Sequence, residues 1–362
     1  MSTTPHVAQA GSDGFPPRRN ATQQRWTDLK YRFPARYTAS WGALALLIVV
    51  AAVVAPASLH GASISLVTAL AGVLAIAAFG QMLVVMLGAI DLSVPAIMAA
   101  SAGVVVHYDT PGSNLPVVLL GALAVAVVIS VMNGVFISVL RLNAIIVTLA
   151  MFGIVSGAIT LWTGTSFSLT DQAPNSLQNL ATSTVLNVNV CFLIALAIAV
   201  ALAAVLSRTR PGRSVAAIGS NRRAARALGV RTLRMELVTF AVVGLLYGVA
   251  GVLLAGFIGT PDVSIGSPYQ LATITAAAIA GSTFSGGPAS VASVLIASIF
   301  LQLLNQSLAI KGFSAGAQVI AQGVALVVAV AAITFAEYGF AGLRRGRGWL
   351  VARSSRRVAP PG

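Results

Sequence analysis

The sequence predicts an all-α polytopic membrane protein with about ten transmembrane helices. Of its 362 residues, 57% are hydrophobic and only 8% are charged, and the mean hydropathy is +0.91. A soluble globular domain carries about a quarter charged residues, so this composition excludes a soluble enzyme. Apolar stretches recur along the chain, and most reach the roughly 17–25 residues that a helix needs to cross the hydrocarbon.

Ten apolar spans cover most of the chain, and the third and eighth are short. They are residues 41–58, 62–87, 95–107, 115–140, 145–162, 188–206, 236–259, 270–284, 289–310 and 314–335. Helices are expected, because a barrel would show alternating segments of about ten residues. The first span follows a long polar arm and exceeds a signal-peptide core in length, so we interpret it as a retained helix.

The basic residues predict the orientation. Of 22 Lys and Arg, six precede residue 40, eight lie within 208–234 and six follow residue 343; the others are Arg141 and Lys311. With the N-terminus in the cytoplasm, only Lys311 falls outside, which agrees with the positive-inside rule. Both termini are then cytoplasmic. The same distribution favours topology signals over nucleic-acid binding as the reason for the net charge of +14.

Three regions follow from this pattern. Residues 1–39 form a basic cytoplasmic arm whose composition predicts disorder. Residues 40–336 form the membrane domain, with a cytoplasmic segment at 208–235, and residues 337–362 form a basic cytoplasmic tail.

A short motif recurs in the two halves of the membrane domain. GAIDLSV (88–94) is echoed by GTPDVSI (259–265), and each copy precedes one of the short spans. In the predicted topology the copies lie on opposite sides of the membrane, as an inverted repeat of five plus five helices would place them. Short spans at matching positions indicate broken helices beside a substrate path, although three matching positions also arise by chance.

The chain lacks the signatures of a catalytic or metal centre. Neither lysine stands in a Walker A loop, and there is no HExxH, GxSxG or metal-spaced His/Cys cluster. The one cysteine, Cys191, excludes an internal disulfide. We therefore predict no catalytic residues, no metal and no cofactor on this chain.

Polar residues within the spans are candidates for a translocation path. They are Gln81, Asp91, Ser93, Asn143, Thr148, Gln302 and Asn305. Hydrogen bonding between helices explains such residues equally well. For Asp91 two interpretations stand, a functional carboxylate inside the membrane or, favoured, a cap of the third helix at the cytoplasmic edge.

Small residues at helical spacing predict close helix packing at two places. Gly153 and Gly157 form one GxxxG pair, and Gly244 and Gly248 form the other. We interpret both pairs as structural.

The segment 208–234 predicts a short cytoplasmic helix. Pro211 and Gly212 break the preceding span, Asn221 supplies an N-cap, and Gly229 closes the helix of 222–228. Its arginines either orient the protein or dock a partner, and composition leaves the two interpretations about even.

Four stretches, in order along the chain, resemble the ribose-type sugar ABC importer permeases. They are GAIDLSV (88–94), NAIIVTL (143–149), AIGSNRRAARALGV (217–230) and GSTFSGG (281–287). The likeness covers roughly residues 40–335. Within the third stretch, Arg222 and Arg223 stand where this family often has acidic residues.

The resemblance implies a permease subunit for ATP-driven import of a simple sugar, such as a ribose-like pentose, across the bacterial cytoplasmic membrane. The implied partners are a second permease subunit, identical or different, cytoplasmic ABC ATPases that bind ATP and Mg²⁺, an extracytoplasmic sugar-binding protein and membrane lipid. The coupling residues implied by the match to the family motif are Gly219, Asn221, Ala225 and Gly229. We predict that Arg222, Arg223 and Arg226 on the same helix also take part in coupling to the ATPase.

Two other classes are weighed against this one. A gradient-driven secondary transporter usually carries ionisable residues in several spans, whereas only Asp91 is a candidate here. A membrane enzyme needs an acid, a base or a nucleophile in a constellation that this sequence lacks.

Replacing Gly229 with valine should lower transport-coupled ATP turnover, because a β-branched residue disfavours the left-handed conformation that a C-cap glycine supplies. The variant should still insert, which a membrane fractionation checks. Unchanged stimulation of the ATPase by Gly229→Val would remove the assignment of this helix as the coupling element.

Overall fold

The structure is a computed structural model, and it describes residues 35–108, 114–164, 167, 172–332 and 334. Within this part of the chain the protein is almost entirely helical, which confirms the predicted fold class. Residues 1–34 of the predicted arm and the whole predicted tail lie outside the described residues, whereas residues 35–39 already belong to the first helix.

Thirteen helices and one hairpin of two short strands make up the described part. The helices are α1 (Ala35–Val54), α2 (Gly61–Met86), α3 (Val94–Tyr108), α4 (Leu115–Ser138), α5 (Ala144–Thr163), α6 (Asn175–Thr182), α7 (Val190–Arg208), α8 (Arg210–Ser220), α9 (Arg222–Ala227), α10 (Thr232–Ile258), α11 (Ser267–Ile279), α12 (Val291–Ile310) and α13 (Ala315–Ala332). A 3₁₀ turn at Pro56–Leu59 follows α1, and β1 (Thr184–Val185) pairs antiparallel with β2 (Val188–Asn189).

A helix lies at each of the ten predicted spans. Seven helices (α2, α4, α5, α7, α10, α12 and α13) are long and apolar enough to cross a membrane. The third and eighth spans correspond to α3 and α11, which have 15 and 13 residues and are short, as predicted. The orientation of the bundle stays a prediction.

Two helices lie where the sequence suggested only connections. In the loop between α5 and α7, α6 packs Leu177 and Ala181 against the end of α10, and Ala173, which precedes α6, donates its N–H to Gly259 O at 2.8 Å. Thr209 has an extended backbone conformation and ends α7. Helix α8 begins directly after it, with Pro211 in its first turn. The sequence predicted this break but not the helix that follows it. Helix α8 forms because Val215 and Ile218 are buried on one of its faces.

Helix α2 is the centre of the bundle. Nearly all its side chains from Ala69 to Met86 are buried. Its glycines let neighbours approach closely, since a Cβ on Gly72 would lie 2.6 Å from the Cys191 backbone of α7 and one on Gly80 would lie 2.4 Å from Tyr247 of α10. By contrast, α4, α5, α7 and α13 expose many apolar side chains, as lipid-facing helices do.

The two GxxxG pairs have different surroundings. A Cβ on Gly244 would lie 2.6 Å from Ala126 O of α4, and one on Gly248 would lie 2.9 Å from the Ala126 side chain. This pair is therefore used for close packing, as predicted. No described atom lies within 4 Å of a Cβ built on Gly153 or Gly157, so the second pair packs against nothing in the described part of this chain.

The replacement Gly244→Ala should destabilise the purified protein by about 1–3 kcal/mol, because the added methyl pushes α4 and α10 apart. The matched change Gly153→Ala should leave stability unchanged or raise it by up to about 1 kcal/mol through helix propensity. Thermal unfolding in one detergent measures both variants. Equal melting temperatures would contradict the close packing at Gly244.

Candidate coupling and translocation site

The segment 87–93 interrupts the path from α2 to α3. Gly88 takes a positive φ of 79° just after α2 ends. The Asp91 carboxylate, which is completely buried, accepts hydrogen bonds through Oδ1 from Ser93 N at 2.8 Å and Ser93 Oγ at 2.5 Å. Asp91 therefore shapes the turn that starts α3, as the capping interpretation expected. Its other oxygen, Oδ2, has no hydrogen-bond partner among the described residues.

Side chains from other helices bind the backbone of this break. With its amide oriented to satisfy both atoms, Gln81 accepts from Asp91 N at 3.2 Å and donates to Asp91 O at 3.0 Å and Tyr247 Oη at 3.2 Å. Thr148 Oγ1 accepts from Leu92 N at 3.0 Å. Irregular backbone inside a membrane protein needs such partners because water is not available to supply them.

The break lies deep in the bundle. Ser93 Oγ accepts from Asn133 Nδ2 at 2.8 Å, and the adjacent Gly134 packs on Phe240 of α10. Phe240 is eight residues after the first residue of α10, a rise of about 12 Å. Asp91 therefore holds the turn before α3 inside the protein, and its position relative to the cytoplasmic edge of the membrane stays a prediction.

The echoed motif before α11 folds in the same local way. Gly259 takes a positive φ of 82°, and Asp262 Oδ1 accepts from Ser264 N and Ser264 Oγ, both at 2.8 Å. The match of glycine conformation and aspartate turn supports the internal repeat. The two copies differ in burial, since Asp262 is exposed and Asp91 is not.

The two breaks meet at the starts of the short helices. A Cβ on Gly266 would lie 2.2 Å from Pro95 O, so the chain leading into α11 touches the first turn of α3. Gln270 Nε2 lies 3.5 Å from Leu92 O across the same contact. Two half-length helices therefore begin side by side within the protein, which is the arrangement that a broken-helix transporter uses at its substrate path.

Three chain segments meet through glycines at the end of α2. Gly219, in the last turn of α8, lies so close that a Cβ would be 1.7 Å from Met86 O. Gly287 N donates to the same Met86 O at 3.0 Å, and a Cβ on Gly286 would lie 2.6 Å from Gly219 O. We call Gly88, Gly219, Gly286 and Gly287 the glycine junction.

Helix α9 is capped at both ends as predicted. Asn221 Oδ1 accepts from Ala224 N at 3.0 Å. Gly229 takes a positive φ of 82°, and Val230 N donates back to Ala225 O at 3.1 Å, which closes the helix with a Schellman-type bond. The helix ends at Ala227, one residue before the predicted end.

An ion pair fixes α9 to α10. The Arg222 guanidinium donates to both carboxylate oxygens of Glu236, with Nη2 at 2.7 Å from Oε2. Glu236 is buried, and Ala225 on the same side of α9 is 2% exposed. Arg222 and Ala225 therefore face the bundle.

The opposite face of α9 is open. Arg223 and Arg226 are exposed, and the Leu228 side chain is 83% exposed. Two exposed cations and an exposed apolar side chain, on a short helix whose other face is fixed by an ion pair, form a surface suited to docking another protein.

A cavity of about 300 Å³ lies between α2, α10, α11, α12 and α13, and Gln302 and Asn305 line it. A larger cavity of about 870 Å³ lies among the lipid-exposed faces of α3, α4 and α5, and its lining is almost entirely apolar. The smaller cavity has the polar groups that a hydrophilic solute requires.

The predicted path residues therefore fall into separate places. Gln81, Asp91, Ser93 and Thr148 come together around the first break, whereas Gln302 and Asn305 face the cavity. The exposed Asn143 caps α5 by accepting from Ile145 N at 2.9 Å.

Sequence reasoning missed two residues, Glu236 and Tyr247. Glu236 could have been noticed in the sequence, because it is the only acidic residue between Asp171 and Asp262 and directly follows a segment with eight basic residues.

Comparisons with known proteins agree with this architecture. Residues 63–333 match the family described as "Branched-chain amino acid transport system / permease component". The autoinducer 2 import system permease protein LsrC of Enterobacter sp. (strain 638) is 32% identical over 72% of this chain and 76% of its own length. LsrC of Photorhabdus luminescens is 30% identical, over 68% and 74%. LsrC of Escherichia coli (strain K12 / DH10B) is 28% identical, over 68% and 71%. No solved structure matches the chain at a significant level.

These matches confirm the resemblance to ABC importer permeases that the four motifs indicated. With its seven long apolar helices, the chain is a multi-pass protein of the bacterial inner membrane and a transport component rather than an enzyme. It belongs to the family of branched-chain amino acid transport system permease components.

Proposed function

We propose that this chain imports a simple sugar, or a sugar-derived molecule related to autoinducer 2, as the permease subunit of an ATP-driven importer. The observation that carries the proposal is α9, a two-turn helix capped at both ends, anchored by the Arg222–Glu236 pair and open on its Arg223 face. A helix anchored from behind transmits force to the bundle when a partner moves it. The import systems to which the relatives belong support import as the direction.

Two ABC ATPases dock on α9 of a pair of permease subunits and supply ATP and Mg²⁺ chemistry, and an extracytoplasmic sugar-binding protein delivers the solute. Gly219, Asn221, Ala225 and Gly229 shape the coupling element, and Arg223 and Arg226 contact the ATPase. Arg222 acts in holding α9. The membrane domain of 40–336 lies between a basic arm and a basic tail on the cytoplasmic side.

The glycine junction supplies the route from the ATPase to the substrate path. Gly219 follows α9 when the helix moves, and it contacts both the end of α2 and the loop after α11 through backbone atoms. Each of these elements adjoins one short helix. A displacement of α8 therefore moves both half-length helices together, because backbone contacts at van der Waals distance leave no slack.

A gradient-driven carrier remains the alternative, with Asp91 as its one supporting feature. Among the described residues only Asp91 and Glu236 are buried carboxylates, and Glu236 is paired with Arg222. An exposed docking helix has no role in such a carrier. Purification of the tagged full-length protein from its native membrane tests the choice. Co-purification of an ATPase supports the importer, and its absence in several mild detergents supports the carrier.

The two adjacent arginines should behave differently on charge reversal. Arg223→Glu should weaken ATPase co-purification by about tenfold, more at low salt than at high salt, with little change in melting temperature. Arg222→Glu should instead lower the free energy of unfolding by about 1–3 kcal/mol, because it leaves Glu236 buried beside a like charge. Arg213→Glu, an exposed reversal on α8, is the control for net charge. An equal loss of co-purified ATPase in all three variants would show that these arginines do not dock the ATPase specifically and only set the topology.

The replacement Gly219→Ala should uncouple transport from ATP hydrolysis. Its methyl group would overlap Met86 O, so α8 must shift away from the end of α2 and lose the contact. We expect ATP hydrolysis to persist while uptake falls by about tenfold or more, because the ATPase movement no longer reaches the short helices. Gly323→Ala on α13, where a Cβ meets nothing within 4 Å, is the control. Uptake equal to that of the control would exclude the junction as the transmission route.

A further inference from the structure

Five uncharged amide side chains converge on the cavity between α12 and α13. They are Gln302, Asn305, Gln306, Gln318 and Gln322. None of the 15 residues that line the cavity is acidic or basic. The cavity of about 300 Å³ is at the small end of the range that proteins use for small ligands, so it suits a solute of about one sugar ring.

Hydrogen-bonding capacity remains open in this cluster. Gln322 Nε2 donates to Asn305 Oδ1 at 3.2 Å, which leaves the amide nitrogen of Asn305 and the amide oxygen of Gln322 without a partner among the described residues. Gln302 makes no side-chain hydrogen bond to any described residue. An amide offers both donors and an acceptor, and each hydroxyl of a polyol can use either kind.

The opposite wall is apolar except for one hydroxyl group. Leu66 of α2, Leu254 and Ile258 of α10 and Tyr269 of α11 line it. One polar wall and one apolar wall match a ring that has hydroxyl groups at its rim and C–H groups on its faces. An amino acid fits poorly, because its carboxylate and ammonium groups would occupy the cavity without a counter-charge, and uncompensated charges are costly to bury.

We propose that this cavity binds the transported solute and selects an uncharged polyhydroxylated molecule over an amino acid. The proposal deepens the import function and rests on it. The cavity lies next to the α12–α13 turn that contains Lys311, the single basic residue predicted on the outer side. With the predicted orientation, the cavity is therefore near the side on which an extracytoplasmic binding protein would release the solute. The family description names branched-chain amino acids. The cavity is expected to reject an amino acid because no charged residue lines it.

Protection of an introduced thiol tests the binding directly. Ala309 lines the cavity and is exposed, so Ala309→Cys in a Cys191→Ala background places one reactive thiol at the site. Ser314→Cys in the same background is the matched control, since Ser314 is exposed on the same turn but does not line the cavity. The purified full-length protein is labelled with a maleimide in the presence of D-ribose, D-xylose, myo-inositol or L-leucine.

We expect at least one of the three polyols to slow labelling at Ala309→Cys, by about tenfold at a concentration about ten times its dissociation constant. L-leucine should not slow it, and labelling at Ser314→Cys should not change. Adding Gln302→Met, which keeps the side-chain volume and removes the amide, should abolish the protection but leave the labelling rate without ligand unchanged. Asn305→Leu provides a second test should Gln302→Met fail to fold.

Protection by L-leucine, protection by none of the polyols, or protection that survives both amide replacements would overturn the proposal. The assay uses the permease alone and needs no ATPase. A negative result here together with a co-purified ATPase would remove the solute site and leave the importer standing. Protection by a polyol together with a failure to co-purify any ATPase would support the solute site and contradict the ATP-driven importer.

Discussion

Every backbone group freed by a helix break inside a membrane protein must find a partner within the protein, and this requirement governs the centre of the molecule. Between α2 and α3, the N–H groups of Asp91, Leu92 and Ser93 each bond to a side chain. Two of these side chains, Gln81 and Thr148, come from α2 and α5. The break therefore ties several helices together inside the bundle, and most polar groups near it serve the fold.

The second break uses the same turn with different support. Asp262 forms the hydrogen bonds that Asp91 forms, but it does so in contact with solvent. The contact of Gly266 with Pro95 then brings the two short helices together. Because the same short motif precedes both of them, the half-length helices form a related pair, and the hydrophilic cavity lies beside the second one.

Much of the architecture was available from the sequence, because span length and hydrophobicity are local properties. The helices, the two short spans and both caps of α9 follow from apolar runs and from Asn221 and Gly229. The burial of Asp91 was not available from the sequence, since it depends on how the chain after Gly88 packs against other helices, and tertiary contacts decide this. The inward direction of Arg222 likewise depends on Glu236, 14 residues away and on another helix. Helix α8 was not predicted because Pro211 was interpreted as the end of the preceding helix. Proline is also favoured in the first turn of a helix, which is where Pro211 lies.

The glycine junction has a consequence for how such a protein diversifies. Three segments touch there through main-chain atoms, so no choice of side chain tunes the contact, and any addition of atoms at Gly219 obstructs it. The two ends of the device are different, because the exposed face of α9 and the amides of the cavity consist of replaceable side chains. In the proposed importer, a change of ATPase or of solute therefore requires substitutions only at these two outer surfaces, whereas the glycine junction tolerates no added side chain at Gly219.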